Sequence, residues 1–331
     1  MSAAQPRACN PVAADPVVEI AKAAGDERRA NLLRLLRHDS FSVKELAKVF
    51  GMAQPAISHH LKVLREATLV QQRREGNSIF YRRCDINASP LIRELFAALD
   101  GQPAPAPLRR GVASVHQERK QAVRAFFESN VDALKSQRKL ISETSTYAES
   151  LREIWRAHCD RFELALEVGP GDAQILVLLD EQFDEVIGID NSPVMLEPVR
   201  EQTGAMRSVH LEQCEFADLT CAPADVIVAA MVLHHQTSPR QFFETARNRL
   251  RDGGLFLVAE LDRHQHDWVT EACGDLWLGF TPEEMDGWAQ SVGFALRTRQ
   301  FLAQRNGFTI QISGYSTRNP DNQPNEGTKT P

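Results

Sequence analysis

Apolar residues recur along this chain with two different spacings, and the change from one to the other divides it. Between residues 15 and 100 they fall three or four apart, as on one face of a helix. Ile57, Leu61 and Leu64 form one such set, with Ser58, His59 and Lys62 on the opposite side. From Phe162 onward short apolar runs alternate with helical stretches, the pattern of a parallel α/β sheet. Those runs include Ala165–Val168, Val186–Ile189, Ala224–Ala230 and Leu255–Ala259. Between the two patterns, Gly101-Gln102-Pro103-Ala104-Pro105-Ala106-Pro107 opens a stiff, Pro-rich linker over 101–115. Residues 116–160 are charged, amphipathic and free of Gly and Pro, and read as a helical connector or lid. The polar stretches 1–14 and 317–331 read as a disordered lead and tail. The expected organisation is a mixed helical and hairpin module over 15–100 and an α/β module over 161–316.

Local signals sharpen the first module. Ser42-Val43-Lys44-Glu45 fits a capping box at a helix start, and Gly51 stops that helix. Pro55 opens the next helix where its missing N–H is harmless. Two helices around a glycine turn, the second with a polar outer face, describe a helix-turn-helix. Leu69–Arg74 and Ser78–Arg83 read as strands around the turn Glu75-Gly76-Asn77, and Arg73, Arg74, Arg82 and Arg83 are placed to straddle a phosphate backbone.

Charge supports a polyanion partner for this module alone. The chain of 331 residues has a net charge of −6, yet Asp26 to Arg83 holds 12 basic and 6 acidic residues. The remainder holds 26 basic and 38 acidic. A basic module on an acidic body points to nucleic acid at one end only. The opposing view, that the helix pair mediates only protein contacts, fits this charge poorly.

The stretch from Gly25-Asp26-Glu27 through Ser58-His59-His60-Leu61-Lys62-Val63-Leu64 to Arg74-Glu75-Gly76-Asn77-Ser78 resembles the ArsR-type winged-helix repressors. The resemblance implies a second helix that enters the major groove. Gln54, Ser58, His59 and Lys62 are then expected to contact DNA, with Arg73 and Arg74 in the wing. It also implies a homodimer, formed through helices at Val17–Ala24 and Pro90–Leu99. The helix Val43–Val49 and the segment Leu91–Phe96 lack the Cys, Asp and His of metal-sensing members, so no metal is expected there. Thr68 stands where the family has a glycine before the wing.

In the second module the strand Ala165–Val168 carries Glu167 and runs into Gly169-Pro170-Gly171-Asp172. Glycines at such a turn let the backbone approach a ligand closely. A second strand ends in Asp190, 23 residues after Glu167, where a carboxylate can accept both hydroxyls of a ribose. Asp218 follows a third strand, and Val232-Leu233-His234-His235 follows a fourth. This series resembles the class I S-adenosylmethionine-dependent methyltransferases, with a Rossmann-like α/β sheet. The resemblance implies S-adenosylmethionine or S-adenosylhomocysteine as ligand, held by Glu167, Gly169, Gly171, Asp190 and Asp218. Ala173 replaces the third glycine of the usual run. A nicotinamide cofactor would want the full G-x-G-x-x-G, which fails at Gln174.

Catalysis stays open at this point. Methyl transfer from a sulfonium needs alignment more than a strong base. His234 and His235 are candidates for a general base, or for groups that merely support the site. An insert carrying His264, His266, Trp268, Trp277 and Phe280 could form a lid, and its two histidines suggest no third metal ligand. Cys159, Cys214, Cys221 and Cys273 have no spacing that marks a site for arsenic methylation. A nucleic-acid methyltransferase is disfavoured because no Asn/Asp-Pro-Pro-aromatic motif follows the fourth strand. The fusion itself suggests that ligand occupancy biases DNA affinity. Similar fusions resemble repressors of methionine-cycle genes that respond to S-adenosylhomocysteine. The alternative is an active small-molecule methyltransferase with an autoregulatory DNA-binding domain. With no run of about 18 apolar residues and no signal-like start, a cytoplasmic protein without a membrane span is expected.

Overall fold

A computed structural model describes residues 15–76, 78–84, 88–130 and 141–317. The expected lead at 1–14, nearly all of the expected tail, Cys9 and Asn77 therefore lie outside the described residues. Two compact units emerge, the first comprising residues up to Arg74 with Ser78–Val115, the second comprising Glu75–Asn77 and the chain from His116 onward. Among the described residues no helix is long and apolar enough to cross a membrane.

The first unit contains α1 (Pro16–Ala24), α2 (Glu27–Leu35), β1 (Phe41–Ser42), α3 (Val43–Phe50), α4 (Gln54–Glu66), β2 (Val70–Glu75), β3 (Ser78–Arg83) and α5 (Pro90–Asp100). The capping box forms as the sequence predicts: the Ser42 N–H donates to the Glu45 carboxylate at 2.7 Å, and the Glu45 N–H donates back to the Ser42 hydroxyl. Gly51 closes α3 at φ +61°, which only glycine adopts without penalty. The strands pair in the order β1-β3-β2. Ile57, Leu61 and Leu64 are fully buried in a core shared with Leu32, Leu33, Phe41 and Phe96.

Two details differ from the sequence expectation. The wing's base holds Arg83 inward: its guanidinium donates to both Asp100 carboxylate oxygens, at 3.0 and 2.7 Å, and lies over the Phe96 ring. Arg83 thus ties β3 to α5 instead of reaching a phosphate. The segment 101–115 is helical from Ala106, because α6 spans Ala106–Ser129 and Val115 packs into the first core. The proline at 107 falls in the first turn, where a missing N–H breaks no helical bond. Chain continuity from one unit to the other thus runs within α6.

The second unit holds α7 (Ser145–His158), β4 (Leu164–Val168), α8 (Gln174–Asp180), β5 (Glu185–Asp190), α9 (Pro193–Thr203), β6 (Val209–Gln213), β7 (Ala224–Ala230), α10 (Pro239–Arg249) and β8 (Leu250–Leu261). It continues with α11 (Trp268–Cys273), α12 (Pro282–Ser291), β9 (Ala295–Ala303) and β10 (Thr309–Ser316). Seven strands form one sheet in the order β6-β5-β4-β7-β8-β10-β9. Neighbours from β6 to β8 pair in parallel, and β10 runs antiparallel between β8 and β9. Every residue of β4 and β7 is buried, which is why these strands read as unbroken apolar runs. Strand order reverses between β4 and β7. In open α/β sheets a crevice forms at that switch, outside the carboxyl ends of the strands. Of the expected connector over 116–160, the described parts are α6 and α7; residues 131–140 lie outside.

Candidate functional site

A cavity of about 690 Å³ opens at this switch point, a volume within the range of small-molecule sites. Its wall includes Glu167, Gly169, Gly171, Asp190, His234 and His235, so seven residues expected from sequence reduce to one exception. The exception is Asp218, which is exposed and not part of the wall. The 3-10 turn Phe216–Asp218 directs Phe216 and Ala217, with Glu215 before them, to the cavity instead. Glu215 accepts hydrogen bonds from Asn191 at 2.9 Å and Lys120 at 3.3 Å.

The glycine loop has the geometry that close approach demands. Gly169 sits at φ +70° and Gly171 at φ +54°. A Cβ built on Gly169 would stand 2.7 Å from the Val232 Cγ2 methyl. Ala173, at the third position of the run, adopts φ +60° and buries its methyl in the core beside α8. Met231, at the end of β7 and also in the cavity wall, has φ +57°. Left-handed non-glycine residues cost of order 1–3 kcal/mol and concentrate at ligand sites.

Polar groups in this wall point to a ligand. Glu167 is 2% exposed, and its Oε2 has no hydrogen-bond partner among the described residues. Burial pushes its carboxyl well above the usual range, and the nearby Asp172 adds to the effect. The Ser192 hydroxyl is likewise buried and without a partner among the described residues. Unsatisfied buried polar atoms are costly, and a bound molecule with donors would relieve both. Asp190 closes its own loop by accepting the Ser192 N–H at 2.8 Å.

Behind the wall, Glu260 is fully buried at the end of β8 and lies 2.6 Å from His234 Nδ1. It also accepts the backbone N–H groups of Leu261 at 2.7 Å and His234 at 3.2 Å. Asp275, 2% exposed and in the wall, is 3.8 Å from His234 Nε2 and 3.7 Å from His235 Nδ1. Sequence reading missed both acids. Glu260 repeats a visible signal, an acid closing an apolar strand as Glu167 nearly does, whereas Asp275 has no local signal.

Of the aromatic residues in the 116–160 connector expected as a lid, Phe127 and Tyr147 reach the cavity. The Phe127 ring meets His235 edge-on at 4.9 Å. Trp155 is instead a core residue, donating to Gln182 at 2.5 Å. Trp277 and Phe280 are buried, while Trp268 is exposed. Of the cysteines, Cys214 and Cys273 line the cavity, and burial pushes the Cys214 thiol up, away from the reactive thiolate.

In the first unit, Gln54, Ser58, His59 and Lys62 are all exposed along α4, opposite the buried Ile57, Leu61 and Leu64. Arg74 is exposed on β2, but Arg73 is 5% exposed. Successive strand residues face opposite sides, so the two arginines stand on different faces of β2.

Fold and cavity together define a winged helix-turn-helix unit joined to a class I methyltransferase fold. Residues 26–72 match the model of the arsR family of bacterial regulatory proteins, and residues 166–256 match that of a methyltransferase domain. The HTH-type transcriptional regulator KmtR of Mycobacterium tuberculosis is 44% identical over 66 residues, 20% of this chain and 51% of that protein. A putative methyltransferase of Dictyostelium discoideum is 30% identical over 114 residues, 34% of this chain and 42% of that protein. The chain thus spans about half the length of these two relatives. The biofilm growth-associated repressor of Xylella fastidiosa is 35% identical over 89 residues, 27% of this chain and 78% of the repressor. A solved methyltransferase from Burkholderia thailandensis, crystallised with 1,6-didemethyltoxoflavin and S-adenosylhomocysteine, superposes with TM-score 0.50 at 17% identity. That match covers 61% of this chain and 90% of the other, and shows the fold alone. The chain belongs to the arsR family of bacterial regulatory proteins and carries a methyltransferase domain after its DNA-binding domain.

Proposed function

We propose that the protein is a dimeric, DNA-binding transcription regulator whose methyltransferase-fold unit binds S-adenosylmethionine or S-adenosylhomocysteine as its signal. The observation that carries this reading is the cavity at the strand switch, with a left-handed glycine loop that has no room for a side chain at Gly169 and two buried groups without a partner among the described residues, Glu167 Oε2 and Ser192 Oγ. These residues fit the ligand. Gly169 and Gly171 leave room for its amino-acid arm, the Glu167 and Ser192 oxygens face donors, and Asp190 is the acceptor for the ribose hydroxyls. When bound, S-adenosylmethionine supplies an activated methyl group; the homocysteine form supplies none and serves only as a signal.

DNA would be met by Gln54, Ser58, His59 and Lys62 in the major groove and by Arg74 in the wing. The apolar residues Val17, Val18 and Leu91 are exposed on α1 and α5, the two helices expected to form a dimer. For the signal to act, the ligand must favour one of two states that differ in DNA affinity. The test is fluorescence anisotropy of the full chain on DNA from upstream of its own gene, titrated with each cofactor form. A ligand-dependent shift in affinity is expected. Cofactor binding by calorimetry with no shift on DNA would refute the sensor.

One observation favours a second reading, an active small-molecule methyltransferase. Glu260 holds His234 by Nδ1 in the cavity wall, an arrangement able to orient a base. Release of S-adenosylhomocysteine above background with a candidate acceptor would establish it.

A further inference from the structure

We propose that His234, His235 and Asp275 form a binding site for one divalent first-row transition-metal ion, with Glu260 orienting His234 from behind. One donor atom from each of the three lies within 4.8 Å of the others. The Asp275 oxygen stands 3.8 Å from His234 Nε2 and 3.7 Å from His235 Nδ1. Ligands at about 2.0–2.2 Å from a tetrahedral ion are about 3.3–3.6 Å apart. Side-chain rotations must bring donor atoms that now lie within 4.8 Å of one another to that spacing.

The backbone already brings the two contributing segments together. The N–H groups of Leu276 and Trp277 both donate to the His234 carbonyl, at 3.0 and 3.2 Å. This holds Asp275 beside the histidine pair without relying on any side-chain bond. Glu260 accepts two backbone N–H groups besides its contact to His234 Nδ1, so it is committed as an acceptor. The imidazole proton therefore sits on Nδ1, and Nε2 presents its lone pair toward Asp275. A carboxylate behind a ligating histidine is the usual device for setting the tautomer and raising ligand basicity. Two imidazoles and a carboxylate suit a first-row ion such as zinc, and not magnesium or calcium, which prefer oxygen.

His234, His235 and Asp275 all line the same cavity as the glycine loop. Three protein ligands leave a further coordination position open to that cavity, the form of a site that binds a small molecule. The ligand class it would take carries a hydroxyl, thiol or carboxylate able to coordinate the ion. These residues are distinct from the helix positions that carry metal ligands in metal-sensing ArsR proteins. The inference is independent of cofactor and DNA binding, because the ion is measured without either.

The full chain, stripped by chelator, is titrated with Zn²⁺ against a chromophoric competitor and, separately, with Co²⁺ read by its visible ligand-field absorption. One ion per chain is expected. His235→Gln and Asp275→Asn should weaken binding by at least about 100-fold, and Glu260→Gln by about 10–100-fold. Cys221→Ser, altering a thiol that does not line this cavity, should leave affinity unchanged. Thermal melts identify any variant that fails to fold. X-ray absorption at the zinc edge of the wild-type chain then decides alone, with a shell of nitrogen and oxygen expected. Absence of stoichiometric binding, sulfur in the shell, or folded His235→Gln and Asp275→Asn variants that bind as the wild type does would overturn the site.

Discussion

Replacing Gly169 by alanine tests whether the cavity's glycine loop is set by backbone geometry. Two independent penalties apply. Gly169 lies at φ +70°, where a Cβ costs about 1–2 kcal/mol. The new methyl would also stand 2.7 Å from Val232 Cγ2, well inside contact distance. Val232 is β-branched and stiff, and its neighbours are anchored: the Met231 N–H donates to Ala259 at 2.8 Å, and Leu233 is fully buried. Overpacking of this kind adds about 1–3 kcal/mol. The expected loss is therefore about 2–5 kcal/mol. All four tryptophans (155, 268, 277 and 288) fall in the second unit, so urea unfolding followed by tryptophan fluorescence reports that unit by itself. Adding Val232→Ala in a double-mutant cycle should recover the overpacking part and leave the backbone part. Ala173→Gly supplies the counterpart. It relieves φ +60° but removes a buried methyl, and should shift stability by less than about 1 kcal/mol. Gly169→Ala within about 0.5 kcal/mol of wild type would refute the reasoning.

Four further outcomes follow from the same geometry. Arg74→Ala should lower the salt dependence of DNA binding by about one counterion in anisotropy at several salt concentrations, and an unchanged slope would exclude that contact. Asp190→Ala should weaken cofactor binding by about 1–3 kcal/mol in calorimetry through lost hydrogen bonds to ribose, and unchanged affinity would exclude that role. Burial raises the Glu167 carboxyl above its ordinary value of 4.5, so the uncharged acid is the favoured form in the fold. Its contribution is complete below 4.5 and declines as pH rises through the folded value; Glu167→Gln should flatten that decline in fluorescence melts, and parallel curves would contradict it. Thr68, at φ +57° between α4 and β2, pays for a left-handed backbone with a β-branched side chain; Thr68→Gly should stabilise the first unit by about 0.5–1 kcal/mol in calorimetry, and a loss would show the strain is compensated.

Much of this protein is legible in its residues because the signals are local. The Ser42/Glu45 box, Gly51, Pro55 and the buried Ile57, Leu61 and Leu64 all act within one or two helical turns, so spacing alone places them. The apolar runs of β4, β5, β7 and β8 are equally plain, since strands covered on both faces carry no polar alternation. Glu167, Gly169, Gly171 and Asp190 follow from those strands, because their carboxyl ends meet at the switch in strand order. What depends on alternation against an unseen neighbour was not legible. Arg73 and Arg74 are equivalent as letters, and only strand orientation separates the buried one from the exposed one. Arg83 reads as a phosphate contact until α5 brings Asp100 to it from 17 residues away. Asp218 sits one residue past the part of its turn that faces the cavity. The antiparallel insertion of β10 between β8 and β9 leaves no mark on either strand's own pattern. Glu260 and Asp275 join His234 from 26 and 41 residues further along the chain. Sequence by itself determined the two kinds of domain, their order and the rim of the ligand cavity, through short-range periodicity and turn chemistry. Tertiary structure alone decided which charges face inward and which distant side chains converge, because burial and long-range contact are properties of packed elements and not of neighbouring residues.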